Sequence, residues 1–576
     1  MLKIHRRAWG LALGSAILQV VIFPLPGMYG LSWIAVAPLL VAILRARVPE
    51  TLQLDGQARL LPATPWQGFV LGYGCGILWF AGTCYWIFDT MHRYGGLPIP
   101  AAALALILFC LYVGLYHGMF GLLLALVAGS NNSRLDKSRS DKSGFKVAAP
   151  GASLRRALVA APFLWVAVEL ARTRVTGFPW ELLGYSQTAN FALTRIATLT
   201  GVYGLSFEIL LVNSVFAAVF LVATEQRKRL LVAACVATAI LQAGQLVTPP
   251  LAAADRMTAD RMTAVHTALL VQPNIPILEG AAWTKEFFQD TLRDLTAVSL
   301  HPPGGKPAKQ QTGGSPGMFV VSYNLIVWPE SPSPFYTNDP LFRDAVSALA
   351  RQSGTWVVAG SIGITPAMHS GEGTGGERSQ IFNSAVLVSP LGDLVGRYDK
   401  MHLVPFGEYL PFPQLFAFAG GLTKEVGEFQ PGASRTPLDA GGERFGMFIC
   451  YESIFPDEVR QGPLAGAQVL LNISNDGWYG DSGAWKQHLQ QTEMRAIEND
   501  RWLLAATNTG MTASIDPYGR IVAATPRKVR TALAAPYALI SGTTFYTRHG
   551  DWFAYLCAII SAGALIARFV FPIRGP

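Results

Sequence analysis

Three side chains in this sequence stand at the ends of expected strands, where a fold can present chemistry. Cys450 closes Gly446-Met447-Phe448-Ile449 and is followed by Tyr451-Glu452-Ser453, a strand-to-turn transition that lifts a side chain above a sheet edge. Glu330 follows Leu325-Ile326-Val327-Trp328 within Trp328-Pro329-Glu330-Ser331, and Lys400 follows the second strand of an expected hairpin, in Tyr398-Asp399-Lys400-Met401-His402. A thiol needs a base to become a thiolate, and the tetrahedral species formed when it attacks a carbonyl needs a cationic or hydrogen-bonding neighbour. A carboxylate and an ammonium supply those two roles. Each residue also has a plain structural reading, as a surface carboxylate, a solvated amine and a small buried thiol. Sequence distance alone does not bring the three together.

Counting cysteines by compartment favours Cys450. The chain has six, and Cys75, Cys84, Cys110, Cys235 and Cys557 fall within long apolar runs, which leaves Cys450 alone in the polar part of the chain with no partner for a disulfide. His402 and His488 lie near the same segments, but neither belongs to an HExxH or cysteine-rich spacing. No metal and no cofactor are expected.

The elements that must position these residues belong to a membrane protein. The chain is 51% hydrophobic and only 14% charged over 576 residues, with a positive mean hydropathy. Runs that approach the roughly 20 apolar residues needed to cross a bilayer extend from Leu11 to Phe23, Leu31 to Leu44, Trp66 to Phe88, Ala101 to Ala128, Leu154 to Leu170, Val202 to Thr224, Leu230 to Val247 and Trp552 to Val570. About eight spans are therefore expected. The first two are short and separated by Pro24 and Pro26, so a hairpin of two spans and one span plus a re-entrant piece are both open.

Lys3, Arg6 and Arg7 precede the first run without a small-residue cleavage site, which reads as an uncleaved anchor with a cytoplasmic N-terminus. Arg45, Arg47 and Arg59, the basic loop from Arg134 to Arg156, Arg227 to Arg229, and Arg568 and Arg574 then all fall on the cytoplasmic side. The net charge of +8 is thus a topology signal rather than a nucleic-acid patch. The expected division is a seven-span bundle over residues 1–250, a linker over 251–265, a water-exposed domain over 266–546 outside the cytoplasm, and a last span and cytoplasmic tail over 547–576. The linker carries Ala-Asp-Arg-Met-Thr twice in tandem, a local duplication in a tether.

Within the water-exposed domain, short β-branched runs alternate with helical or loop segments: Thr267 to Val271, Leu325 to Trp328, Trp356 to Gly360, Ser384 to Val388, Met447 to Ile449, Val469 to Ile473 and Leu503 to Thr507. That rhythm predicts a layered α/β fold with a buried sheet. Ser389-Pro390-Leu391-Gly392 and Asp516-Pro517-Tyr518-Gly519 predict two hairpin turns. Ser130 to Ser153, His301 to Gly317 and Thr365 to Arg378 read as polar insertions.

Trp-Pro-Glu-Ser, then Tyr398-Asp-Lys-Met-His-Leu-Val-Pro-Phe-Gly-Glu408-Tyr-Leu-Pro, then Cys450-Tyr-Glu452, in that order after seven apolar runs, resemble the apolipoprotein N-acyltransferases of bacterial inner membranes. The polar domain resembles the nitrilase, or carbon–nitrogen hydrolase, superfamily. The resemblance implies a nitrilase-like αββα sandwich, extracytoplasmic, on a transmembrane helical bundle. It implies Glu330 as general base, Cys450 as nucleophile and Lys400 as oxyanion stabiliser, with Glu408 and Glu452 in support. Trp283, in Ala282-Trp283-Thr284-Lys285, resembles a substrate-gating tryptophan, and Trp180 in Phe178-Pro179-Trp180 would contribute to a lipid-facing floor.

The activity so implied is the last step of lipoprotein maturation. A phospholipid donates an acyl chain to Cys450 as a thioester, and the chain passes to the N-terminal amine of a diacylglyceryl-cysteine apolipoprotein. Two other readings stay open: a membrane-bound amidase of the same superfamily, in which water resolves the thioester, and a transporter with a soluble binding domain, suggested by Glu169 and Glu208 in or near spans. No inverted repeat supports the transporter.

Overall fold

The computed structural model describes residues 4–48, 60–129, 151–221, 224–243, 266–277, 283–302, 323–331, 333–365, 379–410 and 429–570. The linker repeat and most of the three expected insertions lie outside these residues. The chain divides into two units, one of Met1–Phe88, Ala103–Thr248 and Asp551–Pro576, the other of Asp89–Ala102 and Pro249–Gly550.

The first unit is helical. The described residues of the eight apolar runs lie largely in helices: Arg6–Val21, the broken pair Ser32–Ala35 and Ala37–Leu44, Pro65–Thr83, Ile99–Ala128, Gly151–Ala171, Val202–Leu221, Thr224–Ala243 and Trp552–Val570. Among the described residues only Ile99–Ala128 and Val202–Leu221 are long and apolar enough, each taken alone, to cross a membrane; Pro65–Thr83 with Trp86–Tyr94, bent by 52°, makes a third if the pair is one span. Length and apolarity among the described residues thus support two or three spans and do not confirm the expected eight. The shortfall has visible causes: Arg6–Val21 is 16 residues long, and charged residues enter the start of Thr224–Ala243.

Close helix contact is built on small residues. Gly68 and Gly72, four apart on Pro65–Thr83, let its backbone meet Ile99–Ala128: a Cβ on Gly72 would lie 2.2 Å from the His117 carbonyl oxygen, and one on Gly68 2.3 Å from that of Gly121. Lipid gives no hydrophobic drive between helices, so such backbone approach supplies the packing. Where the chain breaks at Val36, Asn213 restores the lost hydrogen bonds, accepting from the Val36 and Ala37 amides at 2.8 Å each and donating to the Ser32 carbonyl at 2.8 Å. Glu169 accepts from Trp165 Nε1 at 2.9 Å and from the Leu183 amide at 2.8 Å within the helical unit.

The second unit is a sandwich of two six-stranded sheets. Its strands are β1 (His266–Gln272), β2 (Leu325–Val327), β3 (Trp356–Thr365), β4 (Gln380–Val388), β5 (Leu394–Asp399), β6 (Leu438–Ala440), β7 (Glu443–Ile449), β8 (Val469–Ser474), β9 (Leu503–Thr507), β10 (Ala513–Ile515), β11 (Ile521–Ala524) and β12 (Thr531–Tyr537). One sheet runs β12-β1-β2-β3-β4-β5 and the other β11-β10-β9-β8-β7-β6. The triplets β1-β2-β3 and β7-β8-β9 pair in parallel, as expected for strands buried on both faces. All seven apolar runs coincide with strands, and the two turn sequences join β4 to β5 and β10 to β11 as antiparallel hairpins.

Alternate residues of each central strand face different cores. Leu270, Val327, Val358, Met447, Ile449 and Leu471 fill the space between the sheets. Leu269, Ile326 and Val357 point outward against Leu295, Phe342 and Val346 of helices Lys285–Leu300 and Pro340–Ser353. On the other sheet Phe448, Leu470 and Leu503 meet Leu489 and Ala496 of helix Ala484–Asn499. The layers are α, β, β, α, as the resemblance implied.

Candidate active site

Parallel strands that stop at one level leave their following residues together at a sheet edge. Glu330 lies three residues past β2 and Lys400 one past β5, both on the first sheet; Cys450 follows β7 and Asn475 follows β8 on the second. Gly360 of β3 makes room for the Glu330 segment, since a Cβ there would sit 2.1 Å from the Pro329 carbonyl oxygen and 2.9 Å from Glu330 Cα. Cys450 adopts φ of +47°, the left-handed region that a non-glycine residue occupies only under constraint.

The charged side chains form one buried cluster. Lys400 Nζ donates to Glu408 Oε1 at 2.9 Å and lies 3.5 Å from Glu330 Oε1. Asn383 on β4 donates its amide to both carboxylates, at 2.8 Å to Glu330 Oε1 and 2.6 Å to Glu408 Oε1. Glu330 Oε2 accepts from the Asn475 amide at 2.8 Å, and Glu408 Oε2 from that of Val404 at 2.8 Å. Burial works against the Lys400 charge, but Glu408, Glu330 and the neighbouring Cys450 outweigh it and hold the ammonium above the ordinary lysine range. Lys400 is therefore a fixed cation and not a base.

Cys450 is buried, and that burial, followed by the Glu330 carboxylate, pushes its thiol well above the ordinary range; Lys400 and a hydrogen bond with Ser474 oppose the shift. The resting thiol is protonated. Attack on a carbonyl therefore requires proton transfer, and the carboxylate coupled to it is Glu330.

Glu452 ties the two sides of the site together. It accepts from the amides of Ile449 at 2.6 Å, Met401 at 2.9 Å and His402 at 3.2 Å, and from the Tyr398 hydroxyl at 2.9 Å. The turn that presents Cys450 is thus bonded to the residues just after Lys400. Arg435 approaches Glu452 at 3.4 Å and also pairs with Glu458.

The structure brings together Glu330, Lys400, Cys450, Glu408 and Glu452. Trp283 sits elsewhere, its ring meeting the edge of Phe287 at 5.2 Å at the start of helix Lys285–Leu300. Trp180 belongs to the first unit, buried beside Phe178 and Trp86 at ring distances of 6.1 and 5.0 Å. His402 stacks on Phe455 and bonds Glu458 at 2.8 Å, and among the described residues no His, Cys, Asp and Glu group is arranged to hold a metal. The sequence reading missed Asn383, Arg435 and the Asn475 amide. Asn383 left one trace, a lone amide inside the apolar run Ile381-Phe382-Asn383-Ser384-Ala385; a backbone amide leaves none.

Known proteins resemble this chain. A carbon–nitrogen hydrolase family model matches residues 310–538, and an apolipoprotein N-acyltransferase N-terminal domain model matches residues 15–215. The chain is 34% identical over 570 residues to an apolipoprotein N-acyltransferase of Geobacter metallireducens, covering 99% of this chain and 96% of that one. It is 33% identical over 514 residues to one of Methylococcus capsulatus, covering 88% and 89%. Among solved structures it is similar to a carbon–nitrogen hydrolase from Helicobacter pylori, at 17% identity and a TM-score of 0.31, covering 54% of this chain and 95% of that one.

Proposed function

This chain belongs to the apolipoprotein N-acyltransferase family, and from that premise we propose that it acylates lipoproteins through a covalent thioester on Cys450. It is an acyltransferase with a carbon–nitrogen hydrolase domain, and a lipoprotein is its acceptor. The donor in this reading is a phospholipid. As Cys450 Sγ attacks the ester carbonyl, Glu330 takes the thiol proton and Lys400 Nζ stabilises the oxyanion. Collapse breaks the carbon–oxygen bond, Glu330 returns its proton to the lysophospholipid alkoxide, and a thioester remains. The amine of the N-terminal diacylglyceryl-cysteine then attacks the thioester and loses a proton to Glu330; the carbon–sulfur bond breaks, an amide forms and the proton returns to sulfur.

One observation carries this assignment: the buried Lys400 cation shared by Glu330 and Glu408 and electrostatically coupled to Cys450. Both substrates are lipid-anchored, and a membrane-anchored enzyme raises their local concentration. The same reading keeps residues 1–250 as seven spans, 251–265 as a linker, 266–546 as the periplasmic catalytic domain and 547–576 as the last span and tail, with both termini cytoplasmic at the bacterial inner membrane. The largely helical placement of the eight apolar runs supports it. Incubating purified protein with acyl-labelled phospholipid and a lipopeptide bearing a free amine tests the reaction. Label is expected on the lipopeptide as an amide; release as free fatty acid alone would make the protein an amidase-type hydrolase instead.

A further inference from the structure

A second pair of buried titratable groups touches the nucleophile from the side away from Lys400. Asp476, in the turn after β8, takes a hydrogen bond from Ser474 Oγ at 2.6 Å and faces His488 Nδ1 at 3.3 Å. His488, on helix Ala484–Asn499, is 2% exposed, and its Nε2 lies 3.1 Å from the Cys450 carbonyl oxygen and 2.8 Å from Ser453 Oγ. Seven residues further along the same helix, Arg495 donates to the Ser453 carbonyl at 3.4 Å. The carboxylate beside Nδ1 favours a proton on that nitrogen, and Nε2 is shared between the Cys450 carbonyl and the Ser453 hydroxyl.

We propose that Asp476 and His488 are a positioning pair: the imidazole, held at Nδ1 by Asp476, braces the Cys450 carbonyl and the Ser453 hydroxyl with Nε2 and so clamps the left-handed turn that presents the thiol. Residue 475, next in the chain, gives its amide to Glu330. One turn thus sets the base directly and the nucleophile through His488. The inference rests on Cys450 being the acylated residue. The pair acts through Cys450, whose carbonyl His488 meets.

The test uses the full-length protein in detergent with a labelled phospholipid, following the first-order rate of acyl-enzyme formation by intact mass, its dependence on phospholipid concentration, and the thermal midpoint. Asp476→Asn and His488→Ala are each expected to slow acylation by roughly 10- to 100-fold, the effect of losing one charge-assisted hydrogen bond, with the half-saturating phospholipid concentration unchanged. His488→Gln, which keeps an N–H at the Nε2 position, is expected to recover most of the loss. In the background of His488→Ala, Asp476→Asn should slow the reaction no further, because Asp476 acts through His488. Wild-type rates in Asp476→Asn, or losses that multiply in the double variant, overturn the proposal; if His488→Ala does not fold, the near-isosteric Asp476→Asn still decides it. A Cys450→Ala control that still gains an acyl mass would instead overturn the thioester reading itself.

Discussion

At the level of single residues, the site separates two jobs that one charged group cannot do together. Lys400, kept charged by Glu408 and Glu330, is available only as an electrostatic partner, whereas the protonated Cys450 depends on Glu330 at each turnover. Lys400→Ala should therefore lower the acylation rate by about 100- to 1,000-fold, the usual loss of an oxyanion stabiliser, measured as single-turnover label transfer. The sign of the pH dependence follows from the raised thiol. Below its folded pKa the thiolate fraction climbs about tenfold per pH unit, so alkylation of Cys450 by iodoacetamide should be slow at neutral pH and accelerate through the alkaline range. Lys400 lowers that pKa, so Lys400→Met should move the alkylation profile to still higher pH; a profile that moved lower would contradict the coupling. Cys450, Glu330 and Lys400 were legible in the sequence because each ends an expected strand within an ordered set of motifs. The left-handed φ of Cys450 and the two-carboxylate bridge of Asn383 were not, since both arise from long-range register.

At the level of elements, strand ends do the positioning and Glu452 locks two of them together. Replacing it with alanine leaves the buried amides of Ile449, Met401 and His402 without this acceptor, each costing about 1–3 kcal/mol. Glu452→Ala is thus expected to lower the thermal midpoint by several degrees along with activity, followed by thermal unfolding in detergent; an unchanged midpoint would show that other acceptors take over. The strands that sequence patterning found, such as β2, β3 and β8, are unbroken runs rich in Val, Ile and Leu. Those it missed have weaker signals: β12 reads Thr-Ala-Leu-Ala-Ala-Pro-Tyr, with a proline tolerated at the sheet edge, and β6 is three residues long. Spans were harder to count for the opposite reason. Apolar content alone marked Leu31 to Leu44, while the break at Val36 and its repair by Asn213 depend on a residue far along the chain.

For the whole molecule, the proposed topology puts the sandwich domain outside the cytoplasm, which side-specific labelling tests. Leu391, at the tip of the β4–β5 turn, is 77% exposed. In a Cys235→Ser background, which removes the exposed native thiol, Leu391→Cys should react with a membrane-impermeant maleimide applied to intact spheroplasts; labelling only after the membrane is permeabilised would reverse the orientation. The central claim, that acyl transfer passes through sulfur, is tested most directly by intact-mass analysis of the purified full-length protein beside Cys450→Ser, each exposed to phospholipid without acceptor. Wild type should gain the mass of one acyl chain, lost on adding hydroxylamine or a lipopeptide amine, and the variant should gain no such thioester. An unmodified wild type that still acylates the lipopeptide, or an equally labile adduct on Cys450→Ser, would contradict it.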